Sequence, residues 1–204
     1  MRSGDSSVTP SKLIVTDVDG VLLDWYWAFD VWIAEKGYRR LPGTEEIFWA
    51  GSRYGIGEDD AIKLIMEFNE SACIGFLPAI GDAVQYVKLL NEEHGYVFDV
   101  VSSLHVDRYA QMLRVNNLTR IFGDVFNKIN AHLSIHESKI GFLREHYSNI
   151  DAWWIEDRAD HADAGARVGL KTILVDYPYN KDYQGPVKRA TDWRQIYNII
   201  TGNE

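Results

Sequence analysis

Four short runs, KLIVTD (12–17), YVFDVVSS (96–103), AWWIED (152–157) and KTILVD (171–176), are apolar nearly throughout, and each ends in polar residues. A strand that is apolar on both faces belongs inside a parallel sheet, where helices cover both sides, and parallel neighbours need a crossover between them. The intervening segments have helical patterns: DAVQYVKLLNEEHG stopping at Gly95, HVDRYAQMLRVNN, SKIGFLREHY starting at Ser138, and DHADAGARVG stopping at Gly169. DWRQIYNII (192–200) reads as a last helix over the sheet, and DVFNKI (124–129) as a further short strand. The alternation predicts an α/β fold, a Rossmann-like three-layer sandwich around a central parallel sheet.

Between Trp25 and Leu77 this rhythm breaks. Helices are expected at 25–37, 45–53 and 58–70, with Gly55 and Gly57 as punctuation and no strand. The expected organisation is therefore a flexible tail at 1–11, an α/β core from 12–24 and 78–204, and a small helical insertion at 25–77 that follows the first strand.

With 204 residues, 46% of them hydrophobic, the chain can bury one sizeable core. No apolar run approaches the roughly 20 residues of a membrane helix, and MRSGDSSVTP lacks the apolar middle of a signal peptide, so no membrane association is expected. A single cysteine, Cys73, excludes an internal disulfide and a Cys-rich zinc site, fits a cytoplasmic location, and is expected to serve packing. The formal charge of −9 argues against a surface that grips polymeric nucleic acid, which needs Lys and Arg to displace counterions. A small anionic substrate is still compatible with that charge, because a metal and a few basic groups can make a local positive site.

The strand ends carry the chemistry. In an open α/β sheet ligands sit beyond the carboxyl ends of the strands, and those ends here bear Asp17, Ser102, Glu156 and Asp157. Asp17 and Asp19, one residue apart before Gly20, can divide labour: one attacks an electrophile or holds a metal while the other moves protons. A DxDG is also common in plain turns and calcium loops. The calcium reading fails here because positions 21–23 are Val, Leu and Leu, which offer no side-chain oxygen.

DVDGVLLD, then VVSS, then a Lys opening a helix, then WIEDRAD after another strand together resemble the haloacid dehalogenase superfamily of phosphotransferases and hydrolases. The resemblance covers roughly residues 12–176. It implies that Asp17 is the nucleophile that forms an aspartyl-phosphate and touches Mg2+. Asp19 is then the general acid and base, with its backbone carbonyl on the metal; an acid at that position favours phosphate over halide chemistry. Ser102 matches the hydroxyl that binds the transferring phosphoryl group, with Ser103 beside it, and Lys139 the cation between nucleophile and phosphate. Lys128, one segment upstream, is the weaker match. Asp157 matches the remaining magnesium ligand and Glu156 a second acid found there in some branches, a further candidate metal ligand. Magnesium suits an oxygen-rich site of a few carboxylates.

In many relatives a further acid stands four residues beyond the metal ligand. Here that position is His161, flanked by Asp160 and Asp163. Asp160 is the candidate replacement, with a plain helix N-cap as its alternative, and His161 is expected nearby rather than on the metal. HLSIH (132–136) has the spacing of a metal-binding His pair but lacks a third ligand. Asp24 is expected to cap the first insertion helix.

The insertion falls where the superfamily places a helical cap. It is rich in aromatic residues: Trp25, Tyr26, Trp27, Phe29, Trp32, Tyr38, Phe48, Trp49, Tyr54 and Phe68. Most are expected to be packing, with one or two free to stack on a base. DVDGVLLDW, the paired serines and IEDR are similar to the 5'(3')-deoxyribonucleotidase branch, which would set Arg158 beside the phosphate or the metal shell; a surface salt bridge is its ordinary alternative. The expected activity is magnesium-dependent hydrolysis of a small phosphomonoester, with a nucleoside monophosphate as substrate. The alternative is a sugar-phosphate phosphatase or phosphomutase. An end-healing kinase-phosphatase fusion is disfavoured because no GxxxxGK[ST] loop is present.

Overall fold

A computed structural model describes residues 12–104, 106–134 and 138–203; the expected tail at 1–11 and His136 of the His pair lie outside them. Six strands, β1 (Leu13–Thr16), β2 (Val97–Ser103), β3 (Phe126–Leu133), β4 (Ala152–Glu156), β5 (Lys171–Val175) and β6 (Lys188–Ala190), form one sheet in the order β3-β2-β1-β4-β5-β6. Every neighbouring pair is parallel. The four apolar runs are its four central strands, as expected. DVFNKI contributes the start of edge strand β3, while the short edge strand β6 carries no apolar signature.

The helices are α1 (Trp25–Glu35), α2 (Ala50–Tyr54), α3 (Glu58–Glu70), α4 (Ala83–Glu92), α5 (Arg108–Phe122), α6 (Ile140–Tyr147), α7 (Ala159–Arg167) and α8 (Trp193–Thr201). Because strand side chains alternate, each strand feeds two cores. Ile14, Phe98, Val100, Ile155 and Ile173 pack on one face with residues of α4, α5 and α8, whereas Val15, Val101 and Trp154 pack on the other with Leu143, Tyr147 and Ala164 of α6 and α7. Each such fully buried large apolar side chain contributes about 1.5–3 kcal/mol relative to exposure.

Gly165 lets α7 lie directly on the sheet: a Cβ there would fall 2.1 Å from Cδ1 of Trp154, whose indole N–H donates to the carbonyl of His161 at 3.1 Å. The first turn of α7, which follows Asp157, is thereby fixed against β4. Asp99, an acid inside an apolar strand, accepts from Asn127 Nδ2 at 2.9 Å and from the Tyr147 hydroxyl at 3.0 Å, partners brought by β3 and α6.

Strand order reverses at β1, which pairs with β2 on one side and β4 on the other. The chain leaves the sheet beyond β1 and returns through paired backbone: the Asp24 N–H donates to the Pro78 carbonyl at 2.9 Å and the Ile80 N–H to the Leu22 carbonyl at 3.0 Å. Between these points lie α1 to α3 and a 3-10 turn at Ala72–Phe76. Asp24 caps α1 as expected, accepting from the Trp27 N–H at 3.0 Å.

Two expectations are corrected. The helix expected at 45–53 is confined to Ala50–Tyr54. Residues 44–49 instead form a turn and an extended approach that sends Phe48 against Tyr26 and Tyr179, ring centres 6.2 and 5.3 Å apart. Cys73 is exposed rather than packed, because the short turn carrying it buries Ile74 and Gly75 instead. Among the described residues no helix is long and apolar enough to cross a membrane.

Candidate active site

β1, β2 and β4 deliver Asp17, the Ser102–Ser103 pair and Glu156–Asp157 to one edge, where the reversal of strand order opens a crevice. Lys139 reaches the same place from the start of α6. A cation gains nothing from a helix N-terminus; Lys139 is held there by two carboxylates, with Nζ 2.8 Å from Asp17 Oδ2 and 2.8 Å from Glu156 Oε2. It is fully buried, whereas Lys128 is exposed on edge strand β3.

Asp17, Glu156 and Asp157 form a buried group that offers one oxygen each within 4.8 Å of one another. Burial first, and then the neighbouring charge of Glu156, push the Asp17 carboxyl up to about 7 against the pull of Lys139. Asp157 is pushed well above the usual carboxylate range by burial and by Glu156 and Asp17. Glu156 goes the other way: burial raises it, but Lys139 and the neighbouring His161 outweigh that and hold it well below the usual range. Its oxygens are already engaged, Oε2 with Lys139 and Oε1 with the backbone N–H groups of Asp157 and Arg158 at 3.1 and 3.2 Å. Glu156 thus anchors the lysine and the start of α7.

Asp19 lies apart from that group. Its carboxylate is gripped by Arg114 of α5, with Nη1 at 2.6 Å from Oδ1 and Nη2 at 3.2 Å from Oδ2. Arg114 is fully buried, and sequence reasoning missed it: a lone Arg in RYAQMLRVNN looks like any solvated helix position. Burial still raises the Asp19 carboxyl, in opposition to Arg114. The Oγ atoms of Ser102 and Ser103 are buried without a hydrogen-bond partner; Ser103 lines the cavity, while Ser102 is fully enclosed.

Of the two candidates for the outer metal shell, Asp160 lies at the surface and His161 lies beside the acids, lining the cavity. Asp160 points away, paired with Arg158 at 2.7 Å and largely exposed, and it caps nothing. His161 is buried with Nδ1 3.6 Å from Glu156 Oε2, beyond hydrogen-bond distance. Arg158 makes the surface ion pair and also borders the cavity. It pairs with Asp160, yet it lines the cavity with its guanidinium 5.0 Å over Phe48. His132, on β3, packs its ring against Phe142.

A divalent cation fits this group. Three buried carboxylates cluster beside Lys139, which pairs with two of them, and Asp17 Oδ1 is buried with no partner. The donors are all oxygen, as hard cations require. Asp17 must lose its proton to bind such a cation, and its pKa is raised to about 7. Magnesium affinity is therefore expected to tighten as pH rises towards 7, by about tenfold per unit or more because the Asp157 carboxyl is raised as well. Calorimetric titration between pH 5.5 and 8.5 measures this, and a flat profile would contradict it.

Above the acids rises a cavity walled by Trp25, Tyr26, Phe29, Phe48 and Trp49, with Arg53 and Asn69 also lining it. Phe29 and Phe68 pack in the main core, as the packing expectation required, and Trp27 is exposed.

No protein-family model matches the sequence. The chain is 27% identical over 162 residues to an uncharacterized 32.4 kDa protein of Enterobacteria phage T4, a match covering 76% of this chain and 57% of that protein. The chain thus spans little more than half the length of that relative. Among solved structures it is similar to a haloacid dehalogenase-like family hydrolase from Streptococcus pneumoniae, with a TM-score of 0.65 at 15% identity, covering 93% of this chain and 98% of that one. A predicted phosphatase from Clostridium acetobutylicum gives 0.65 at 14%, covering 95% and 100%. A haloacid dehalogenase family hydrolase from Deinococcus radiodurans, with bound phosphate and sodium, gives 0.59 at 19%, covering 95% and 96%. With its six parallel strands in this order and that likeness over nearly the whole chain, the protein shares the α/β fold of these haloacid dehalogenase-like proteins.

Proposed function

We infer that the protein is a magnesium-dependent phosphomonoester hydrolase acting on a nucleoside monophosphate through an aspartyl-phosphate. The observation that carries the reading is Asp17, a buried carboxylate held by Lys139 on one oxygen and free on the other, at the floor of an aromatic-walled cavity. Asp17 attacks phosphorus, and the bond from phosphorus to the ester oxygen breaks. Asp19 delivers a proton to the leaving oxygen. It then takes a proton from the water that attacks the phospho-aspartate, so that phosphate leaves and Asp17 is restored.

Lys139 neutralises negative charge where nucleophile and phosphate meet, Glu156 holds it there, and the Ser103 hydroxyl, which lines the cavity, serves the phosphoryl oxygens. Arg114 fixes the carboxylate plane of Asp19 through its two-pronged contact. Asp17, Asp157 and the Asp19 carbonyl would hold magnesium, which would supply further positive charge at the phosphoryl group. The helices of 25–77 act as a cap whose aromatic wall receives the leaving group, and a flat nucleobase suits five aromatic rings better than a polyhydroxylated sugar.

Phosphate release from equal concentrations of deoxynucleoside monophosphates and hexose phosphates tests the reading. At least one nucleotide is expected to exceed every sugar phosphate by about tenfold or more in kcat/KM, a difference of about 1.4 kcal/mol. If hexose phosphates rank level or higher, the nucleotide assignment falls and the sugar-phosphate alternative replaces it.

A further inference from the structure

The sequence has no acid four residues beyond Asp157, and the structure shows what contacts Asp157 instead. Its Oδ2 accepts from the hydroxyl of Tyr26, at 3.0 Å, and from that of Tyr179. Gly20 closes the third side: a Cβ there would lie 2.4 Å from the same oxygen. With Oδ2 enclosed, the other oxygen of Asp157 is the one left for a cation.

Both phenols are held by their surroundings. Tyr179 stacks on Tyr177 with ring centres 5.1 Å apart and planes 4° apart, and the Tyr177 hydroxyl donates to the Gly20 carbonyl at 2.9 Å. The next residue, Asn180, donates through Nδ2 to the carbonyls of Asp157 and Val175, both at 2.7 Å. Tyr26 stands in the first turn of α1, two residues past Asp24, whose backbone N–H bonds to the chain returning at Pro78. Its ring packs against those of Phe48, Tyr177 and Tyr179.

We propose that Tyr26 and Tyr179 are the positioning residues of the metal ligand Asp157, in place of an outer-shell acid, and that Tyr26 ties the seating of α1 to occupation of the metal site. The choice of phenols has a chemical reason. An acid at this point would add a fourth negative charge to a group with one buried cation, whereas a phenol orients the carboxylate and adds no charge. Two donors on one oxygen fix the carboxylate plane before the metal arrives, so less orientational freedom is lost on binding. Tyr26 also crosses from the helical segment to the sheet edge beside the point where the segment begins. The orientation of α1 and the orientation of Asp157 are therefore set by one shared hydrogen bond, and coupling of this kind is reciprocal.

This inference rests on the acid group being a magnesium site but not on the phosphatase reading, so its test uses no substrate. Magnesium affinity of wild type, Tyr26→Phe and Tyr179→Phe is measured by calorimetry at pH 8, and hydrogen exchange of the 25–37 amides is followed with and without saturating magnesium. Each variant is expected to bind magnesium about tenfold or more weakly. Magnesium is expected to slow exchange across α1 in wild type and in Tyr179→Phe, but not in Tyr26→Phe. Affinities within twofold of wild type in both variants would overturn the positioning role, and equal slowing in Tyr26→Phe would overturn the tie to α1. Should Tyr26→Phe fail to fold, Tyr179→Phe decides the positioning role, and exchange in Trp49→Ala and Phe48→Leu, which keep both phenols, must then respond to magnesium as wild type does. A wild-type protein that binds no magnesium would remove the metal site and this inference together, whatever its activity.

Discussion

Asp17→Asn is expected to abolish magnesium-dependent phosphate release from an aryl phosphate, by about 10⁴-fold or more, while leaving the fold intact. An amide keeps the shape of the carboxylate but cannot form the phosphoryl-enzyme bond. The same change removes a charge that the fold holds at some cost. Burial and Glu156 raise the Asp17 carboxyl to about 7, so between its unfolded value near 4 and about 7 the native state holds a proton that the unfolded chain has released. The Asp17 contribution to wild-type stability in the absence of metal therefore falls as pH rises through that window and is lowest above it. At pH 8 without magnesium the variant should melt no lower than wild type. Normal turnover by Asp17→Asn would remove Asp17 from the nucleophile's role, and a collapsed melting temperature would show that the residue serves structure instead.

Lys139→Met is the opposite case. Lys139 is the cation shared by Asp17 and Glu156, each at 2.8 Å, and all three side chains are buried. Removing one partner of a buried ionic group leaves the others uncompensated, which typically costs about 3–5 kcal/mol. The effect has a direction in pH. The carboxylates raise Lys139 to about 12 despite burial, so its stabilising contribution is fully present below its unfolded value near 10.5 and is lost only as pH rises through about 12. Between pH 5 and 8 the lysine is a constant, and the acids decide. Without it they hold protons in the native state to higher pH, so the stability gap between variant and wild type should narrow as pH falls from 8 to 5. Chemical denaturation at several pH values measures this, and catalysis should be lost throughout. A gap that is small, or that widens in acid, would mean that Lys139 does not neutralise this pair.

The central strands could be read because burial on both faces of a parallel sheet demands an unbroken apolar run, a local and redundant signal. The edge strands were harder. β3 was only partly foreseen, and β6 is three residues, Lys188–Ala190, with no apolar character. The expected helix at 45–53 failed because propensity says nothing of the pull that Tyr26 and Tyr179 exert on Phe48. Asp24 was legible as a cap because capping is decided within one turn.

At the site, residues on consecutive stretches of sequence were foreseen, and residues that meet across the fold were not. Asp17, Asp19, Glu156 and Asp157 stand beside recognisable strand ends, and Lys139 beside a helix start. Arg114 and Tyr179 carry no local mark. Arg114 reaches Asp19 across 95 positions and Tyr179 reaches Asp157 across 22. Asp160, the replacement suggested by spacing, turns instead to Arg158 at the surface.

By itself, then, the sequence determined the parallel α/β architecture, the edge where chemistry gathers and the acids that sit there, because strand burial and strand-end polarity are written residue by residue. Only the tertiary structure decided what each acid faces. Lys139 pairs with Asp17 and Glu156, Arg114 with Asp19, and two phenols with Asp157. Partners of a buried charge are chosen by distance in space, over a few ångströms, and distance along the chain carries no record of it.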